Sequence, residues 1–109
     1  MIFPLKKRWY EKIKSGEKTI EYREVKSYWS KRLFNAMIKK GIKTYCENDI
    51  YTEETVREPL FCYLQLGYKP ETRLKAQIVK IQVINGKDTD LHINAPVYAI
   101  HLADVKECQ

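Results

Sequence analysis

Gly16-Glu17-Lys18-Thr19-Ile20-Glu21-Tyr22-Arg23 is the stretch on which the reading of this chain turns, because the hydrophobic period changes across it. Before it, Leu5, Trp9 and Ile13 recur at four-residue spacing and predict a short amphipathic helix spanning Lys6 to Ser15. Gly16 stands where such a helix needs a left-handed C-terminal residue, a conformation glycine adopts without steric cost. After it the period falls to that of a strand, with Thr19, Glu21 and Arg23 on one face and Ile20 and Tyr22 on the other. The apolar face is expected to pack a core. The polar face then presents a lysine, a carboxylate and an arginine within six residues.

Upstream, Ile2 to Leu5 reads as a short first strand, and Pro4 marks it as an edge or strand end because it has no N–H for a ladder. Lys12 and Lys14 fall in the last helical turn, where their charge complements the helix dipole. Downstream of Val25, the spacing of Trp29, Leu33 and Met37 predicts a second helix with Ser27 as N-cap and Gly41 as stop. Trp29 is expected as a core anchor, and Lys31, Arg32, Lys39 and Lys40 as the outer face. Glu47 to Glu58 holds five acids and one arginine with little periodicity and reads as a solvated loop ended by Pro59. Glu53 and Glu54 have no histidine beside them to make a metal pair.

Leu60 to Leu66 and Arg73 to Ile84 are rich in β-formers and read as two strands joined through the turn Gly67-Tyr68-Lys69-Pro70. Asn85-Gly86 has the chemistry of a tight hairpin, yet no strand follows at once, so residues 88–94 are expected to make an irregular or short helical excursion. Pro96 closes it. Val97 to Val105 gives the last strand, with Tyr98, Ile100 and Leu102 on one face and Val97, Ala99 and His101 on the other.

A chain of 109 residues with 44% hydrophobic content is long enough for one domain, 1–109, and one modest core. No window approaches about 18 uninterrupted apolar residues, and the N-terminus lacks the pattern of a signal peptide, so a soluble cytoplasmic protein with no membrane span is expected. Cys46, Cys62 and Cys108 are odd in number and lack C-x-x-C spacing, which argues against a disulfide framework and a zinc site; they read as free thiols, with Cys62 buried in a strand. His92 and His101 are too far apart to read as a pair. Neither a metal nor a cofactor is expected. Residues 1–43 carry thirteen lysines or arginines against four acids, and residues 44–109 seven against ten. The net charge of +6 therefore comes from the part of the chain that holds the motif, and it suggests an anionic partner as readily as it suggests solvated helices.

Gly16, Lys18, Glu21 and Arg23 form a Gly-x-Lys-x-x-Glu-x-Arg pattern after a short amphipathic helix, and in this the chain resembles the ASCH domain family. The opening Ile2-Phe3-Pro4-Leu5 with Trp9 and Ile13, the later Gly67-Tyr68-Lys69 and the closing Tyr98-Ala99-Ile100-His101-Leu102 are similar to that family as well. The resemblance implies an α+β fold: a small PUA-like, partly open β-barrel of five to six strands with two flanking helices. It also implies a cleft that binds RNA or a nucleotide-like ligand, and a few relatives are hydrolases of nucleosides or RNA. The acetylcytidine amidohydrolases among them resemble this chain at the motif lysine but use a threonine where Glu21 stands. The activity cannot be carried over unchanged, since a carboxylate replaces the hydroxyl.

Three classes of function remain. As a binding module, the chain is expected to use Lys18, Thr19, Glu21, Arg23, Tyr68 and Lys69, the cations on phosphate, Glu21 on a base amino group or on Arg23, and Tyr68 or Tyr22 for stacking. As a hydrolase of a modified nucleoside or of RNA, it would use Lys18 and Glu21 as the acid–base pair. As a structural or interaction module, Glu21 and Arg23 would be an ion pair bracing the barrel. No obligate protein partner is implied.

Overall fold

The computed structural model describes residues 1–39 and 53–108. Five strands and two helices follow one another as β1 (Ile2–Leu5), α1 (Lys7–Lys14), β2 (Ile20–Glu24), α2 (Ser27–Lys39), β3 (Glu53–Leu66), β4 (Arg73–Asn85) and β5 (Pro96–Glu107). The strands form one sheet in the order β1-β3-β4-β5-β2. β1 runs parallel to β3, and the other pairs are antiparallel. Register shifts between Thr55 and Leu60, between Lys75 and Gln77 and between Ile78 and Lys80 bend the long strands, as bulges do, and curl the sheet toward a half-barrel. The expected small α+β, partly open barrel is present at that level. Its opening lies between the edge strands β1 and β2. Arg23 bridges that opening, its Nη2 donating to the Pro4 carbonyl at 2.8 Å.

The core lies inside the curl. Phe3 and Leu5 from β1, Tyr10 and Ile13 from α1, Leu33 from α2 and Leu60, Cys62, Leu64, Leu74, Ile78, Tyr98 and Ile100 from the long strands are all buried together. Burial pushes the Cys62 thiol up to about 12, so it stays protonated. Among the described residues no helix is long and apolar enough to cross a membrane.

Several expectations need correction. Glu53 to Glu58 is not loop but the first part of β3, because β4 runs on to Asn85 and supplies it with partners: Glu53 lies opposite Gln82 and Glu54 opposite Ile81. Pro59 does not end a loop; it falls within the β3 register shift, where a missing N–H is tolerated. The apolar face of α1 is formed by Tyr10 and Ile13 rather than by Leu5, Trp9 and Ile13, since the helix starts only at Lys7 and Leu5 belongs to β1. Ser27 is the first residue of α2 rather than its cap, and the Ser30 N–H bonds the Lys26 carbonyl at 2.8 Å. The two faces of β5 are as expected, with Tyr98, Ile100 and Leu102 in the core, and Val97 and Ala99 on the other face are buried as well, with Gly86 of the preceding excursion against Val97. The readings that involve Lys40, Gly41 and Cys46, residues 47–52, and the side chains of Met37 and Lys39 lie outside the described residues.

Candidate functional site

The Gly16 turn fixes where the motif begins. Gly16 has φ +84°, and its N–H bonds the Ile13 carbonyl at 3.1 Å, as a left-handed helix cap does. The Lys18 N–H reaches back to the Lys12 carbonyl at 3.0 Å, so the backbone of Lys18 is tied to the end of α1 before β2 starts. In the β2–β5 ladder Glu21 stands opposite Ile100 and Arg23 opposite Tyr98, whereas Ile20 and Tyr22 stand opposite His101 and Ala99. Directly opposed residues share a face. Glu21 and Arg23 therefore point to the core side, and the apolar face of β2 points outward. This reverses the expected assignment: Glu21 is 5% exposed, and Tyr22 is only half-buried.

These side chains meet in a cleft of about 430 Å³ at the barrel opening. Lys18 Nζ donates to Asp90 Oδ2 at 2.5 Å and lies 3.7 Å from Glu21 Oε1. It also sits 4.6 Å from the centroid of Trp9 and 5.6 Å from that of Tyr22. Arg23 Nε lies 3.9 Å from Glu21 Oε1, and its guanidinium carbon is 4.8 Å from the Trp29 ring and 5.3 Å from Phe3. Trp29 in turn stacks on Phe3 at 5.1 Å. Pro4, Leu5 and Leu91 complete the apolar walls, and Lys6, Glu24 and Lys26 lie along the lining as well.

Glu21 Oε1 accepts the Tyr22 N–H at 3.0 Å, while Oε2 is buried and has no hydrogen-bond partner among the described residues. Arg23 Nε is likewise without one. Burial raises the Glu21 carboxyl above its ordinary range; Lys18, Arg23 and the Tyr22 N–H pull it back, and Asp90 pushes with the burial. Burial also lowers the Arg23 guanidinium, against the pull of Glu21.

Asp90 reaches the cleft from the excursion after β4. A 3-10 turn over Gly86–Asp88 starts it, capped by Asn85, whose side chain accepts from the Lys87 N–H at 2.8 Å. Thr89 Oγ1 then donates to the Gly86 carbonyl at 2.8 Å. Gly86 is required there: a Cβ would lie 2.7 Å from Val97 Cγ1 and 2.9 Å from the Ile93 carbonyl oxygen.

No family model, no curated protein and no solved structure matches the chain.

Of the residues expected at a site, Lys18, Glu21 and Arg23 come together, and Asp90 is the excursion residue that joins them. Thr19 is exposed and lines a shallower recess of about 300 Å³ beside the cleft, together with Trp9, Lys12 and Glu17. Tyr68 and Lys69 do not come to the cleft: they sit on the β3–β4 turn, with Tyr68 89% exposed. The sequence reading missed Trp9 and Trp29 as cleft walls. The available signal was that the only two tryptophans bracket the motif on its two flanking helices. His101 is hydrogen-bonded to Gln82 at 2.7 Å on the sheet.

Chemically, the floor is nearly neutral. Lys18 is matched by Asp90 and Glu21, Arg23 by Glu21 and the Pro4 carbonyl, and Lys26 by Glu24 at 3.1 Å. Lys6 has no carboxylate partner among the described residues. The lining therefore combines an unpaired carboxylate oxygen with indole walls that already carry cations, and Lys6 is the lining lysine left without a carboxylate among the described residues.

Proposed function

We propose that this chain is an RNA- or nucleotide-binding module of the ASCH type, built on a PUA-like barrel, and that its cleft takes a nucleobase against Glu21 with phosphate held at the rim. One observation carries this reading: a buried carboxylate oxygen, Glu21 Oε2, has no partner among the described residues, on a side chain lining a cleft walled by Trp9 and Trp29. An unsatisfied buried acceptor costs free energy unless a ligand or water completes it. The exocyclic amine or ring N–H of a base is a donor of the kind that Oε2 lacks. Trp9 and Trp29 wall the cleft, and its volume lies in the range of small-molecule sites. Phosphate is directed to Lys6 at the rim, because Lys18 and Arg23 are already neutralised.

Both tryptophans line the cleft, so intrinsic fluorescence reports on it without a label. Titration with nucleoside monophosphates is expected to give a saturable fluorescence change, and Glu21→Ala is expected to weaken it by about tenfold or more, as loss of a hydrogen bond to a charged group does. A wild-type protein whose emission is indifferent to all four nucleotides would end this reading.

A second reading, a hydrolase of an acylated nucleoside or of RNA, is favoured by the 3.7 Å approach of the Lys18 amine to a carboxyl that burial holds toward its protonated form. Lys18 and Glu21 would be the acid–base pair. Lys18→Ala then abolishes turnover of an acylated nucleoside while leaving its affinity within a few fold, because groups that act in the transition state need not hold the ground state.

A further inference from the structure

The outer face of the β3–β4–β5 sheet carries a pattern that the cleft does not use. Leu60, Cys62 and Leu64 are buried, but Phe61 between them is 44% exposed and Tyr63 is half-buried, so these two rings stand side by side on the face turned away from the core. Opposite them on β4, Gln77 pairs with Phe61, Lys75 with Tyr63 and Arg73 with Gln65, and on β5 Lys106 lies opposite Lys75. Lys75 Nζ sits 4.5 Å from the Phe61 centroid, and the Arg73 guanidinium 5.8 Å from that of Tyr63. Gln65 orients Arg73 by accepting from its Nε at 2.8 Å. No carboxylate occupies a paired position among them. Glu107 at the end of β5 is turned to Lys14 at 2.6 Å, and Asp104 falls in the register shift between Ala103 and Lys106.

We propose that this face is a stacking platform for single-stranded nucleic acid, separate from the cleft. Phe61 and Tyr63 offer flat rings to two successive unstacked bases, and Arg73, Lys75 and Lys106 line them on the β4–β5 side with positive charge for the phosphates. The charges select the occupant. An apolar partner would bury three cations without compensation, and a duplex would keep its bases stacked away from the rings. The Phe61 ring is vacated at little cost, because a lysine over an exposed ring is held weakly and can turn to a phosphate, and Arg73 stands off the Tyr63 ring at 5.8 Å, held there by Gln65.

The test uses the full chain and a fluorescently labelled single-stranded oligoribonucleotide, with anisotropy for the oligomer and tryptophan emission for a mononucleotide in the cleft. The double variant Phe61→Ala/Tyr63→Ala is expected to bind the oligomer at least about tenfold more weakly, with its circular-dichroism melt and its mononucleotide titration as in wild type. Lys75→Glu is expected to weaken binding and to flatten the salt dependence by about 0.7 for each phosphate that is no longer neutralised. Wild-type affinity in both variants overturns the proposal, as does equal binding of an abasic oligomer of the same length or preferential binding of an acidic peptide. If only Trp9→Ala lowers oligomer affinity, all binding passes through the cleft and the platform fails while the cleft reading stands. If the platform variants lose the oligomer and no mononucleotide alters tryptophan emission, the cleft reading fails and the platform stands.

Discussion

Glu21 titrates in an unusual direction for a carboxyl flanked by a lysine and an arginine, because burial outweighs both. A folded pKa above the unfolded value means that the folded state binds the proton more tightly. The associated stability is fully present below the unfolded pKa of about 4.3 and is lost as pH rises toward the folded value. Glu21→Gln removes that loss, so melting temperatures measured against pH are expected to coincide for the two proteins in acid, with the variant equal or higher at neutral pH. A lower melting temperature for the variant at neutral pH would instead mark Glu21 as half of a structural ion pair. Arg23→Lys keeps the charge but loses the Nη2 bond to Pro4 across the opening and the guanidinium contact over the Trp29 ring. It is expected to cost about 1–2 kcal/mol in chemical denaturation. The side chains themselves were legible, since their spacing places Glu21 and Arg23 on one face of a strand. Which face was not: alternation is blind to sign, and the pairing of Glu21 with Ile100, distant in sequence, turns the charges inward.

At the scale of elements, two glycines are expected to respond differently to the same substitution. Gly16→Ala meets no atom within 4 Å, so its cost is that of a left-handed backbone alone, about 1 kcal/mol. Gly86→Ala collides with Val97 and the Ile93 carbonyl, and it is expected to cost about 1–3 kcal/mol and also to draw Asp90 away from Lys18. Urea denaturation reads the first cost. Denaturation together with mononucleotide affinity reads the second. The Gly16 cap and the excursion after Asn85 were readable, because glycine at a helix end and Asn-Gly without a following strand have local causes. The start of β3 was not: Glu53 to Glu58 has no alternating pattern, and only the continuation of β4 to Asn85 makes it a strand. Trp9 and Trp29 were read as core for a related reason, since an aromatic ring lining a cleft and one lining a core leave the same trace in the sequence.

For the whole molecule, the sheet is strongest at its centre and weakest at its opening. β4 is paired on both sides, whereas β1 and β2 are edges held across the gap by Arg23. Amide hydrogen exchange is expected to be slowest in β4 and fastest in β1 and β2, and a uniform pattern would contradict an open barrel. The strand order was beyond local reading, because nothing in Ile2 to Leu5 says that its partner lies on β3. That order has a consequence for how the protein is made. Among the described residues the motif strand β2 finds its partner in β5, and β1 finds its own in β3. A nascent chain that has exposed Lys18, Glu21 and Arg23 therefore cannot assemble them until residues 97–101 have left the ribosome, and these long-range pairings make assembly of the cleft a late, slow step.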